Sequence, residues 1–177
     1  MSAKKEKQSH LFVDSDFGST HDEIMTLLTK TWFEIVKKAK SITPTEHPTD
    51  FQLEPAIGKY HIVFPDAIGI TEDTEDRENF HNYYIFEVKP KIDSFGFVLR
   101  QLNFYVKIIT ETFHERYSRY QLDGSFLITP DMRFNELFAE HNRFKRPEER
   151  ILLIKPKDLT ILLEARGIKN EVKAVVK

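Results

Sequence analysis

The sequence predicts an α/β fold in which a mixed central sheet is flanked by helices. Three observations predict it. Residues 83–88 (YYIFEV) are an aromatic and branched run of the kind that fits a pleated strand. The stretch that opens at Ser94 and Gly96 has the apolar period of a long helix. Two later apolar runs, SFLIT and RILLI, alternate with helical segments, and strand–helix–strand order implies a parallel pair joined by a crossover.

The elements follow in order. Residues 1–18 read as a loose, flexible polar arm, and 19–177 as one domain. Ser19 or Thr20 can cap a first helix, with Asp22 and Glu23 in its first turn. Ile24, Leu27, Leu28, Trp32, Ile35 and Val36 then recur at helical spacing. The segment 41–50 (SITPTEHPTD) holds two prolines among small polar residues and reads as a loop. Residues 51–57 and 60–64 are predicted strands separated by Gly58, with 66–70 continuing the second or starting a third. The early strands should pair as an antiparallel hairpin. The acidic run 71–79 is a polar connection, and Pro90 limits the next strand. Val98, Leu99, Leu102, Tyr105, Val106, Ile109 and Phe113 form the apolar stripe of the long helix. Asp123-Gly124 is a predicted turn before a strand at 125–129. Pro130 is placed as the first residue of a helix over 132–140, with Thr129 and Asp131 as its cap. A strand at 150–154 and a helix at 159–166, ended by Gly167, complete the chain.

Composition narrows the function classes. The 177 residues are 40% hydrophobic and 31% charged, which suits one soluble domain with a real core. No apolar run is long enough for a membrane span, so no membrane partner is expected. The polar N-terminus has no secretory character, which predicts a cytoplasmic protein. The absence of cysteine excludes disulfides, thiolate metal sites and cysteine nucleophiles. A net charge of -2 argues against a nonspecific coat for nucleic acid but not against an enzyme with acidic metal ligands. Residues 143–177 carry ten Lys or Arg against five Asp or Glu, while 72–78 (EDTEDRE) hold five acids and one Arg. The first segment can flank a polyanion; the second repels one.

Chemistry concentrates at the end of the 83–88 strand. Alternate strand residues share a face, so Glu87 and Lys89 point the same way and Phe86 and Val88 point into the other layer. Asp66, which follows Pro65, can sit beside Glu87 if the two strands form a hairpin. Two adjacent carboxylates repel, and a divalent cation relieves that repulsion. Oxygen donors from Asp66, Glu87 and the Val88 carbonyl suit Mg²⁺ or Mn²⁺. Lys89 can then orient or deprotonate an attacking water, or offset charge at phosphorus. Gln101 and Tyr105, four residues apart, lie one above the other on the following helix.

Pro65-Asp66, Glu87-Val88-Lys89 and Gln101-Leu102-Asn103-Phe104-Tyr105 together resemble the PD-(D/E)xK nuclease superfamily. The Q-x-x-x-Y spacing looks like that of its RecB-type and Cas-associated exonuclease-like members. The resemblance covers roughly residues 20–142 as an order of elements, with motifs from Pro65 to Tyr105. It implies a restriction-endonuclease-like core and metal-dependent hydrolysis of phosphodiesters, with DNA as partner and Mg²⁺ or Mn²⁺ as cofactor. It further implies that Asp66, Glu87, Lys89, Gln101 and Tyr105 serve catalysis. Arg100, adjoining Gln101, has the best claim among nearby cations to a substrate phosphate. Members often add a carboxylate from the first helix, for which Glu23, Glu34 and the early-strand Glu54 are the candidates. The motifs leave strandedness, DNA against RNA, and end against internal cutting open. The alternative is a nuclease-fold protein that binds nucleic acid or a protein without cutting.

Overall fold

The structure, a computed structural model, describes residues 20–40, 42, 44–74, 80–116 and 119–165. The predicted arm at 1–18, most of the acidic connection and the Gly167 helix end lie outside them. Helix α1 (His21–Lys40) begins at a reciprocal cap. The Glu23 N–H donates to the Thr20 hydroxyl at 3.3 Å, and the Thr20 N–H donates to the Glu23 carboxylate at 3.2 Å. Its expected apolar stripe is buried throughout.

Five strands lie side by side in chain order: β1 (Glu46–Leu53), β2 (Ala67–Asp73), β3 (His81–Val88), β4 (Tyr120–Ile128) and β5 (Ile151–Ile154). The first three form an antiparallel meander, and β3–β4 and β4–β5 are parallel. Helix α2 (Phe95–Arg116) makes the first crossover and α3 (Asn135–Arg143) the second; α4 (Pro156–Ala165) follows β5. The mixed sheet with helices on both faces is the α/β architecture that the sequence predicts.

Strand alternation decides the layers. Ala67, Tyr84, Phe86, Val88 and Phe126 pack against α1 and against Leu159 of α4. Ile68, Ile70, Tyr83 and Ile85 face Ile108, Ile109 and Phe113 of α2. Leu127 and Ile151 meet Val98 and Leu102 of α2 and Phe138 of α3. Each such side chain fully buried contributes about 1.5–3 kcal/mol. Gly69 lets Trp32 lie flat on the sheet: a Cβ there would stand 2.6 Å from the indole ring. No helix among the described residues is long and apolar enough to cross a membrane.

Several predicted boundaries need correction. The 41–50 segment is not all loop, because Glu46 to Asp50 belongs to β1. An edge strand tolerates Pro48, and the register shift between Pro48 and Asp50 absorbs it. Residues 60–64 do not form a strand; one Ile57–Val63 bridge closes a loop there. Gly58, at φ 128°, turns this loop, and a Cβ would meet the His61 carbonyl oxygen at 2.0 Å. β2 runs on to Asp73, so the acidic connection begins later than expected. Asp123-Gly124 is no turn. It lies inside β4, where the pairing with β3 shifts between Tyr83 and Tyr84. Pro130 does not open a helix, since α3 starts at Asn135. Instead, Asp131 accepts the Ile92 N–H at 3.0 Å and pairs with Arg133 at 2.7 Å, holding the chain in a turn that Thr129 also bonds.

Candidate active site

The meander brings Asp66 to the end of β3. Asp66 lies one residue before β2, and Ala67 pairs with Phe86. The Val88 N–H therefore has no β2 partner and donates to Asp66 Oδ2 at 2.6 Å. In an extended strand the N–H and C=O of one residue lie on the same side, so the Val88 carbonyl also addresses this edge. Glu54 ties the segment from the other side. Its backbone, at φ 44°, donates to the Asp66 carbonyl at 2.9 Å. A left-handed non-glycine residue costs of order 1 kcal/mol, and here it fixes the chain that carries Asp66.

Glu87 is only 2% exposed and sits on the α2 side of the sheet with Tyr83 and Ile85. Its Oε1 accepts the Lys89 ammonium at 2.5 Å and the Gln101 amide at 2.9 Å. Its Oε2 is buried without a hydrogen-bond partner, and so is Gln101 Oε1. Burial, with the Asp66 carboxylate beside it, pushes Glu87 up to about 7 against the opposing pull of Lys89. Burial works to lower the Lys89 ammonium, but the hydrogen bond and charge of Glu87 outweigh it and Lys89 rises. Tyr105 is also raised, mainly by burial.

Gln101 and Tyr105 work as one bridge. The Gln101 amide donates both to Glu87 and to the Tyr105 oxygen, the latter at 2.7 Å. The Tyr105 hydroxyl then donates to the Phe64 carbonyl at 3.2 Å. One helix turn thus fixes the Glu87 carboxylate and the chain leading into Pro65-Asp66.

Of the three further acids, Glu23 bonds Thr20 in the helix cap, Glu34 lies 3.9 Å from Lys37, and Glu54 is exposed and contributes its backbone N–H. The residue from α1 is His21, whose Nε2 lies 3.1 Å from Asp66 Oδ1. A carboxylate has no proton to give, so this nitrogen donates and aims Asp66. Sequence spacing carried no signal for His21, because 45 residues separate it from Asp66. Arg100 is exposed beside Gln101.

Asp66, Glu87 and the Val88 carbonyl are hard oxygen donors, and the partnerless Glu87 Oε2 is what a bound cation would satisfy. Among the described residues no group of three or more His, Cys, Asp or Glu side chains is placed to hold a metal ion. Two carboxylates still fit Mg²⁺, which is commonly held by one or two carboxylates and keeps waters and substrate phosphates as its other ligands. No family model, curated protein or solved structure matches the chain.

Proposed function

We propose that the protein is a metal-dependent nuclease that hydrolyses phosphodiester bonds in DNA, of PD-(D/E)xK type. The observation that carries the reading is the convergence of Asp66, Glu87, Lys89, Gln101 and Tyr105 on one strand end, with a buried carboxylate oxygen left open. The strand order, a meander followed by a parallel strand across α2, agrees with a restriction-endonuclease-like core.

Asp66, Glu87 and the Val88 carbonyl would hold Mg²⁺ or Mn²⁺, which supplies Lewis-acid polarisation and offsets phosphate charge. Lys89, at the half-exposed end of the cluster, faces the substrate side. Its ammonium orients the attacking water and neutralises charge that grows on the phosphoryl oxygens. Gln101 and Tyr105 keep Glu87 and Asp66 in register, and His21 fixes the Asp66 rotamer. Arg100 is placed to take a flanking phosphate.

Labelled single- and double-stranded DNA incubated with Mg²⁺, Mn²⁺ or EDTA tests the reading. Cleavage should need the divalent ion and should fall about 10²-fold or more in Lys89→Ala, with DNA binding retained. Binding without cleavage under every condition would instead favour the non-catalytic alternative, in which the same fold only holds nucleic acid.

A further inference from the structure

Helix α2 carries a second surface beside the carboxylates. Phe97, Arg100, Phe104 and Lys107 recur at three- and four-residue steps and share its outer face. All four are exposed, Phe97 by 60% and Phe104 by 45%. Each phenylalanine is followed three residues later by a cation. Gln101, which touches Glu87, lies one turn after Phe97 and just before Phe104. The neighbouring loop extends the same pattern. Phe64 is 58% exposed while its carbonyl is held by Tyr105, and Tyr60 is 83% exposed with the Lys59 ammonium 5.2 Å from its ring centre. His61 packs edge-on to Phe104 with ring centres 6.2 Å apart.

We propose that this stripe seats single-stranded DNA, its bases stacked on Phe97 and Phe104 and its phosphates on Arg100 and Lys107, and that it feeds the strand to the site; this rests on the nuclease reading above. Unpaired bases present free π-faces, whereas those of a duplex are already covered by their neighbours. The two phenylalanines are seven residues apart, so their rings are offset by about 10 Å along the helix. Arg100 between the rings and Lys107 just beyond Phe104 give the stripe the positive charge that a polyanion requires. The acids Glu72 and Asp73 stand at the far end of β2, about 20 Å from Asp66, and the exposed Glu111 and Glu115, beside Lys59, Tyr60 and His61, bound the stripe beyond Lys107.

Fluorescence anisotropy in EDTA, where nothing is cut, measures the binding of labelled oligothymidylate, an oligouridylate and a DNA hairpin duplex. Oligothymidylate should bind tightest. Phe97→Ala and Phe104→Ala should each weaken it by about tenfold, and Phe104→Trp should preserve it. An oligonucleotide carrying 2-aminopurine should lose emission on wild type and recover it on the alanine variants, a sign of stacking that a merely structural ring would not give. Arg100→Ala should flatten the salt dependence by about 0.7 in log–log slope. Equal or tighter duplex binding, a preference for the oligouridylate, or alanine variants that bind like wild type would overturn the proposal. So would a dimer in sedimentation that the alanine variants dissociate, since a second copy would then own the stripe. Single-strand binding without cleavage in Mg²⁺ would remove the nuclease reading and leave the stripe standing. Divalent-dependent cutting with no single-strand preference would do the reverse.

Discussion

Two buried carboxylates flank β3, and their surroundings differ. Glu46, on the α1 side near the start of β3, has one oxygen that accepts Thr71, the Asn82 amide at 3.2 Å and the Tyr84 hydroxyl at 3.0 Å. That hydroxyl also lies 3.0 Å from Asp123, which pairs with Lys40 at 3.5 Å. Burial, and the charges of Asp123 and Glu46, drive Tyr84 far above its ordinary value, so it stays a donor. Glu87, on the α2 side at the end of β3, is more deeply buried yet leaves one oxygen without a partner. A buried polar atom left unbonded costs about 1–3 kcal/mol. The Glu46 network gathers three donors on one oxygen and joins β1, β2, β3 and β4. The Glu87 cluster leaves Oε2 unbonded and reaches solvent through Lys89.

Mutations can break that contrast, beginning with the largest effect. Glu87→Met combined with Lys89→Met should abolish cleavage while leaving stability unchanged or raised by about 1 kcal/mol, because a poorly satisfied ion pair is replaced by apolar volume. Urea melts and cleavage rates on one preparation would show both. Marked destabilisation would mean that the cluster is structural after all. Glu46→Ala should do the opposite. It strands the Thr71 and Asn82 donors, while Tyr84 keeps Asp123 as acceptor, so unfolding should become about 1–3 kcal/mol easier while the folded fraction cuts normally.

Smaller effects sharpen the role of the helix bridge. Gln101→Ala should reduce cleavage about tenfold, as loss of a supporting hydrogen bond to a ligand does, and Tyr105→Phe by less, with little change in melting temperature. The double variant should fall no further than Gln101→Ala if the side chains act as one unit. Additive losses in the kinetics would separate them. The smallest expected change is at Asp131, which hydrogen bonds from Arg133 and Ile92 hold well below the usual carboxylate range. Its folded value is depressed, so its contribution is complete above the unfolded pKa of about 4 and is lost as pH falls below it. Asp131→Ala should cost about 1 kcal/mol at pH 7 in a denaturant melt, and the difference from wild type should shrink on acidification.

The sequence by itself determined the helices with strong apolar stripes, the β3 run and the parallel crossovers, because period and burial coincide there. Strand alternation also put Glu87 and Lys89 on one face, and a helix turn put Gln101 beside Tyr105; Asp66 beside Glu87 required the hairpin, and Gln101 and Tyr105 at the site were implied only by the motif resemblance. Elements without such periodicity were hidden. β1 is an edge strand, where polar residues and Pro48 are tolerated, and the β4 bulge lets Asp123-Gly124 sit where a turn would be expected. Only the tertiary structure decided which side chains complete the site. It bonds Glu23 into a cap, leaves Glu54 exposed and brings His21 to Asp66, because α1 packs on the sheet and begins at the Asp66 edge. Such contacts join residues far apart in the chain through packing geometry, and no local spacing encodes them.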